Sequence, residues 1–526
     1  MSKSHEVMFY TDGRHTSTYL YEPPMSIEQY LEPIDEVLDL GIDTIVYETG
    51  GGPVVHYATD VGERWGHNVD LVDTAIWYRA GLNLKSAVDR NIDPLALICK
   101  YAQDKGFQFI PSFFPFLRHR PKGRVTDSRV SNFEMDHPEW QVGPEDDFPE
   151  SKHDDPSRLS FSVPEVREGR LRVIKELVSK YPTDGIEINL LGGALPLIAR
   201  REVTEHTETI TQWMTDIRAI CNQAAQDQSR AKRLVVRIPA TLPGLIAMGM
   251  DIDSWIHQGL VDTVIAAPVV GGYESDVANF RQIVEAARGT EVKIMGNITS
   301  QGKHETREVT TAAACNIYTA GGDGVFFPTY YPHPGRYPYD DAALGRLRLL
   351  GHPETLRYKD KSYRIGPPER DNATKFGEKD QLPAYPNPGD LGPEITIDVS
   401  DNFNSIDVER LWRCELRVMI QNMVHHDRVK LVWNGEPVDD NFIRIADWTY
   451  NIRPHPDHAV LGYRLHVDLK EVGLPVKGSN TVRLDIIKKD AKLVHPISVA
   501  EVEIAVQYLP HRHGVRNEER FPGYET

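Results

Sequence analysis

The sequence predicts an α/β fold, a (β/α)8 TIM barrel, followed by an all-β sandwich. Between residues 7 and 351, apolar strand patterns alternate with amphipathic helix patterns eight times, which is the count and length of a closed parallel barrel. Beyond residue 393, apolar residues recur at every second position, which is typical of antiparallel strands with one buried face. We therefore expect a barrel over 1–359, a linker over 360–393, a β-sandwich over 394–510 and a charged tail over 511–526.

The first half of the barrel contains four strand patterns and two long insertions. Strands are predicted at 7–11, 43–48, 107–112 and 185–191, and helices at 27–40, 93–105, 164–180 and 204–226. Ser26 is a helix-capping residue, and Pro94 follows Asp93 at a favoured first helical position. Residues 49–92 and 114–163 are predicted to be long loops. Their tryptophans and histidines favour structured covers over the barrel mouth.

The second half repeats at intervals of about 30 residues, a spacing typical of successive βα units. Strands are predicted at 234–238, 263–267, 292–296 and 324–327, and helices at 252–258, 275–288, 304–319 and 340–351. A doubly wound open sheet is the alternative, but residues 11–15 (Thr-Asp-Gly-Arg-His) are not its glycine-rich phosphate turn. In the sandwich, Asn434-Gly435 between apolar runs predicts a tight hairpin.

Charge and cysteine content argue against several functional classes. With 59 basic and 77 acidic residues the net charge is −18, which disfavours a nucleic acid or an anionic membrane as partner. No apolar run approaches a membrane span, and residues 1–6 lead directly into a strand. The four cysteines are far apart, which favours reduced thiols, and we expect a cytoplasmic protein.

Polar and aromatic side chains follow most of the predicted strands. Reacting groups of barrel enzymes come from these C-terminal strand ends. The residues at or just beyond the ends are Asp12, Arg14, His15, Glu48, Ser112, Glu187, Asn189, Arg237, Tyr273, Glu274, Asn297 and Tyr330, and the insertions add His56 and His119. Aromatic rings bind pyranose faces, and Asn and Arg hydrogen-bond sugar hydroxyls or carboxylates, so the set is typical of a sugar-processing barrel. It contains no cofactor signature.

Glycoside hydrolysis needs one carboxyl group as acid and a second as base or nucleophile. Glu187 is the predicted acid, and Glu48 or Asp12 is the predicted second group, with Glu274 behind them. The predicted substrate-binding residues are Arg14, His15, His56, His119, Asn189, Arg237, Tyr273, Glu274, Asn297 and Tyr330. A metal site built from His15, His56 and His119 is the alternative, but no HxH or HExxH spacing supports it. We predict no metal and no cofactor.

Three short motifs resemble those of glycosyl-hydrolase-like barrel families related to glycoside hydrolase family 10. They are Asp184-Gly-Ile-Glu-Ile-Asn189, His137-Pro-Glu-Trp140 and Leu159-Ser-Phe-Ser-Val-Pro-Glu-Val-Arg167, and the predicted sandwich fits the same pattern. The resemblance implies a carbohydrate-active protein with Glu187 as a catalytic carboxylate. Asn189 stands where the pattern often has Asp, and no Glu follows the seventh strand, where retaining hydrolases of the larger clan keep their nucleophile.

We therefore predict a glycoside hydrolase acting on a small oligosaccharide, neutral or anionic, with Glu187 as acid and Glu48 or Asp12 as base. The insertions are expected to close over a pocket, which favours exo action. The sandwich is expected to pack on the barrel or to mediate homo-oligomerisation. Two alternatives stay open: a non-catalytic carbohydrate-binding barrel protein, and a metal-dependent lyase or isomerase.

Overall fold

The computed structural model describes most of the chain, with gaps in several loops. The described residues are 5–115, 126–143, 158–191, 197–267, 277–298, 306–328, 345, 347–366, 381–447, 462–514 and 516.

Eight parallel strands form a closed barrel. They are β1 (Glu6–Thr11), β2 (Thr44–Gly51), β3 (Gln108–Phe114), β4 (Gly185–Asn189), β5 (Arg233–Pro239), β6 (Thr263–Ala267), β7 (Lys293–Asn297) and β8 (Gly324–Phe327). Each strand pairs in parallel with the next, and β8 pairs with β1, which closes the sheet. The predicted (β/α)8 barrel is confirmed.

Helices connect the strands on the outside of the barrel. They are α1 (Ile27–Asp35), α2 (Ala75–Asp89), α3 (Pro94–Asp104), α4 (Asn132–Met135), α5 (Pro164–Ser179), α6 (Val203–Gln228), α7 (Leu242–Ala247), α8 (Ile252–His257), α9 (Ala278–Ala286), α10 (Arg307–Thr319) and α11 (Pro353–Leu356), with α12 (Leu469–Val472) in the second domain. Within the described residues, no helix is both long and apolar enough to cross a membrane. Of the predicted helix 340–351, residues 347–350 form a turn, and all but one of the others up to 346 lie outside the described residues.

The prediction that residues 49–92 form a loop is wrong. They contain two short strands, Val54–Val55 and Glu63–Arg64, and the 15-residue helix α2. Thr74 caps α2 by accepting a hydrogen bond from the Trp77 backbone, and Ala80, Leu84 and Ala87 bury its inner face. The buried positions have helical spacing, but small alanines among charged residues make a weak apolar pattern.

The barrel interior is apolar along most of its length and polar towards the C-terminal ends of the strands. Its apolar part consists of Met8, Tyr10, Val46, Ile110, Val235, Ile265, Met295 and Phe326. Successive side chains of a strand point to opposite faces, so Glu48 and Ser112 point inward, two positions after Val46 and Ile110. Register pairs Glu48 with Ser112, and Ser112 with Glu187. Three polar residues on adjacent strands therefore share one level of the barrel.

The second domain is a sandwich of two antiparallel sheets, as predicted. Its strands are β9 (Lys361–Ile365), β10 (Glu394–Val399), β11 (Leu411–Gln421), β12 (Arg428–Trp433), β13 (Ile443–Asp447), β14 (Gly462–Asp468), β15 (Gly478–Lys488) and β16 (Ser498–Tyr508). One sheet has the order β9-β16-β11-β14-β13, and the other has β10-β15-β12 followed by the short strand Glu436–Pro437. Asn434 and Gly435 form a left-handed turn, which confirms the predicted hairpin. Strand β9 lies within the predicted linker.

The sandwich contacts the barrel through helices α9 and α10. Buried Asp398 accepts hydrogen bonds from the Val277 backbone at 3.1 Å and from Arg281 Nη2 at 2.9 Å. The Asn316 amide donates to the Asp398 carbonyl at 3.0 Å. The sandwich is therefore packed on the barrel.

Candidate active site

The turn after β1 is held in one conformation by Asp12 and Gly13. Asp12 Oδ1 accepts from the backbone N–H groups of Arg14 and His15 at 3.0 and 3.2 Å, and Oδ2 lies 2.6 Å from His15 Nδ1. Burial raises the pKa of Asp12, but the Arg14 guanidinium and the hydrogen bond from His15 outweigh it and hold that pKa below its usual range. Both oxygens of Asp12 are thus engaged in fixing the turn.

Arg14 reaches from this turn to Glu48 at the end of β2. Its Nη2 lies 2.7 Å from Glu48 Oε1 and 3.2 Å from Asp12 Oδ2. The Tyr10 hydroxyl donates to Glu48 Oε2 at 2.5 Å. Burial raises the pKa of Glu48 and outweighs the opposing charge of Arg14. Glu48 is therefore a carboxyl group that environment pushes towards the protonated form.

The segment after β2, residues 52–65, places His56 and Trp65 beside Arg14. His56 Nε2 lies 3.2 Å from Arg14 Nη1, and the His56 and Trp65 rings are 4.3 Å apart. Burial and the Arg14 charge hold the pKa of His56 well below its usual range, so its ring is neutral and accepts from Arg14. Trp65 is buried and lies 5.3 Å from the guanidinium of Arg14. Residues 52–65 therefore line one side of the barrel mouth.

Glu187 is fully buried and pairs with Arg237 of the neighbouring strand. Arg237 Nε donates to Glu187 Oε1 at 2.6 Å, and their side chains are 9% and 0% exposed. The guanidinium contacts the Tyr10 and Phe326 rings, 4.5 and 4.3 Å from their centroids. Glu187 and Arg237 are not opposite each other in the sheet, because Asn189 is the residue that pairs with Arg237. The arginine therefore reaches back towards the barrel floor.

Three buried polar atoms near this pair make no hydrogen bond to any described residue. They are Glu187 Oε2, Arg237 Nη2 and Ser112 Oγ. A buried polar atom without a partner costs about 1–3 kcal/mol, so such atoms call for an explanation. An acceptor, a donor and a hydroxyl together match the hydrogen-bonding needs of one water molecule or one sugar hydroxyl.

The structure brings most of the predicted site residues together. Asp12, Arg14, Glu48 and His56 form one cluster, and Glu187 and Arg237 form a second. Asn189 and Asn297 are buried at the ends of β4 and β7, and Asn189 Oδ1 accepts from the Leu191 backbone at 3.1 Å. His15 is 40% exposed at the rim. The predicted residues His119, Tyr273, Glu274 and Tyr330 lie outside the described residues.

Tyr10 is a site residue that the sequence analysis missed. It contacts both clusters, through its hydroxyl to Glu48 and through its ring to Arg237. It follows the inward-facing Met8 by two positions on β1, so the period of two along that strand was the signal that could have found it. Trp65 is one of the tryptophans of the 49–92 insertion, and its contact with Arg14 was not predicted.

The part of the chain that the structure describes contains no group of three His, Cys, Asp or Glu side chains arranged to hold a metal ion. All four cysteines are free thiols.

No protein-family model matches the chain, and neither does any curated protein sequence. Several solved structures with which the chain shares a partial likeness are glycoside hydrolases. The glycoside hydrolase domain of PgaB (BpsB) from Bordetella bronchiseptica is 13% identical with a TM-score of 0.40, over 65% of this chain and 98% of that one. Alpha-L-fucosidase isoenzyme 2 from Paenibacillus thiaminolyticus is 12% identical with a TM-score of 0.40, over 68% of this chain and 51% of that one. A GH36 alpha-galactosidase, an AgaA variant from Geobacillus stearothermophilus, is 12% identical with a TM-score of 0.35, over 92% and 56%. The chain thus spans about half the length of the latter two, and likeness at this level says nothing about its activity.

Proposed function

We propose that this protein is a glycoside hydrolase whose reacting carboxyl groups are Glu48 and Glu187. One observation carries the proposal: two inward-facing buried carboxyl groups share a level of the barrel and have unlike partners. Glu48 contacts a hydroxyl and a guanidinium and has a raised pKa, whereas Glu187 is paired with Arg237 and keeps one oxygen without a protein partner among the described residues. Carboxyl pairs in unlike environments divide into an acid and a base.

The environments favour Glu48 as the general acid and Glu187 as the base. Burial makes the proton available on Glu48. Glu187 instead forms an ion pair with Arg237. The proposal therefore exchanges the two roles that the sequence analysis assigned. Asp12 becomes a positioning residue, because its oxygens already hold Arg14 and His15.

Ser112 lies between the two carboxyl groups in the register. Two strand spacings of about 4.8 Å place the Cα atoms of Glu48 and Glu187 roughly 10 Å apart. Inverting glycosidases hold their carboxyl groups about 6.5–9.5 Å apart, with a water between base and sugar. We propose an inverting reaction in which Glu187 Oε2, Arg237 Nη2 and Ser112 Oγ hold that water.

The charges at the mouth favour a neutral oligosaccharide over an anionic one. Both arginines of the described site are already paired with carboxyl groups, and with Glu48 protonated the carboxylates of Asp12 and Glu187 balance the two guanidinium groups. The amides of Asn189 and Asn297 suit hydroxyl recognition. Residues 52–65, with His56 and Trp65, line one side of the mouth, which supports exo action.

Two variants test these roles on aryl and alkyl glycosides that differ in leaving group. Glu48→Gln is expected to lower kcat/KM about 10²–10⁴-fold on alkyl glycosides, the usual contribution of a positioned acid, and far less on dinitrophenyl glycosides, which need no proton. Glu187→Gln is expected to lower both. Asp184→Asn, at the opposite end of β4, is the matched control. Its kcat/KM should depend on the leaving group in the same way as that of the wild type.

Loss of less than about 10-fold in Glu187→Gln would contradict the proposal, since a positioned base contributes about 10²–10⁴-fold. Sugar binding without turnover of any glycoside in the panel would instead indicate a carbohydrate-binding barrel.

A further inference from the structure

Tyr10 joins the two halves of the candidate site. From β1 its hydroxyl donates to Glu48 Oε2 at 2.5 Å, while its ring faces the Arg237 guanidinium at 4.5 Å. Arg237 in turn donates to Glu187 Oε1 at 2.6 Å. Tyr10 is buried, with its ring 6.3 Å from that of Phe326. One rigid side chain therefore sets the position of both carboxyl groups.

The Tyr10 hydroxyl acts on Glu48 within a crowded set of charges. Its hydrogen bond stabilises the carboxylate form of Glu48, against the effect of burial. Within the described residues, five other titratable or charged groups from four parts of the barrel face Glu48, and the adjacent Tyr47 on β2 is a sixth. The five are Arg14 and Asp12 from the turn after β1, Tyr19 beyond that turn, His56 from residues 52–65, and Arg237 on β5. Among these groups, Tyr10 is the one that also contacts the partner of Glu187 through its ring.

We propose that Tyr10 is a positioning residue that links Glu48 to the Arg237–Glu187 pair and sets the pH range in which the acid stays protonated. The inference rests on the proposed function for its catalytic meaning. Its electrostatic part concerns Glu48 alone and is measurable without substrate.

Tyr10→Phe isolates the hydroxyl from the ring. Loss of the donated hydrogen bond is expected to move the alkaline limb of the kcat/KM profile upward by about 0.5–1 pH unit, the equivalent of one net hydrogen bond. The contact with the Arg237–Glu187 pair is kept, because the Phe ring still faces Arg237. Tyr10→Leu removes both contacts and is expected to lower kcat/KM beyond the effect of Tyr10→Phe, because Arg237 also loses one of its two aromatic neighbours.

Tyr47→Phe is the matched control. Tyr47 is the neighbour of Glu48 on β2, and its ring packs outside the barrel, 5.7 Å from that of Phe109. The variant removes a phenol hydroxyl from a half-buried residue of the same strand without removing the hydrogen bond to Glu48. The alkaline limb should therefore stay within about 0.2 pH unit of the wild type, well below the shift expected for a lost hydrogen bond.

A second measurement reads the same group without catalysis. The stability difference between the wild type and Glu48→Gln, followed over pH, contains the protonation of Glu48. Because the folded pKa of Glu48 is raised, its favourable contribution is full below the unfolded pKa and is lost as pH rises through the folded pKa. The Tyr10→Phe background should move the upper end of this window upward by the same amount as the kinetic limb.

An unmoved window in Tyr10→Phe would overturn the inference, whatever the activity. A moved window together with full activity of Glu187→Gln would leave the Tyr10–Glu48 link standing and overturn the proposed function.

Discussion

The buried Arg237–Glu187 pair allows a quantitative test of the barrel interior. Arg237→Met keeps much of the apolar stem but leaves the Glu187 carboxylate without its partner at a position with no solvent exposure. Removing one member of a buried ion pair usually costs about 3–5 kcal/mol, because the remaining charge is uncompensated. The guanidinium also loses its contacts with Tyr10 and Phe326, worth up to about 2 kcal/mol when desolvated, which the Met side chain partly replaces. We expect a total loss near the upper end, about 4–5 kcal/mol.

The double variant distinguishes pairing from packing. Glu187→Gln keeps an oxygen that can accept from Arg237 Nε, so we expect a loss of about 1–2 kcal/mol. Arg237→Met with Glu187→Gln removes both charges and should be at least about 2 kcal/mol more stable than Arg237→Met alone, since neutral replacements of buried pairs are often tolerated.

Urea unfolding followed by circular dichroism and fluorescence measures these differences. The change should appear in the transition that reports the barrel, because both residues lie on barrel strands. A loss below about 1 kcal/mol in Arg237→Met, or strictly additive losses in the double variant, would refute the view that Arg237 compensates a buried charge.

Two further predictions concern the β1 turn and helix α1. Gly13 has φ of 63°, and a Cβ added to it would lie 2.1 Å from the Tyr47 hydroxyl. Gly13→Ala should therefore cost about 1–3 kcal/mol and lower kcat/KM by displacing Asp12 and Arg14, whereas a variant with wild-type urea midpoint and activity would contradict this geometry. Burial, reinforced by Glu32, raises the pKa of Glu36 at the C-terminal end of α1 to about 8. Its folded pKa exceeds the unfolded one, so stability is lost as pH rises from about 4.5 to about 8. Glu36→Gln should be more stable than the wild type on the order of 2 kcal/mol at the upper end of this range, also because a negative charge at a helix C-terminus is unfavourable. A gain in urea midpoint that does not grow with pH would show that ionisation of Glu36 does not destabilise the folded protein.

The barrel was predictable because each of its strands is a short apolar segment. The intervals between these segments can be read directly from the sequence. Glu187 and Glu48 were predictable as mouth residues for the same reason, since the end of each strand is visible in the pattern. Helix α2 was not predicted, because its buried face uses small residues such as Ala80 and Ala87 and becomes apolar only against its neighbours.

The sequence by itself determined the two-domain architecture, the Asn434-Gly435 hairpin and the set of polar residues at the strand ends, because each depends on residues close together in the chain. Tertiary structure decided how those residues pair. Closure of the barrel brings Arg237 to Glu187, Tyr10 to Glu48 and Arg14 between two carboxylates, over sequence separations of up to 50 residues. Burial at those contacts raises the pKa of Glu48 and lowers that of Asp12, so acid, base and positioning roles depend on the folded environment and not on residue type.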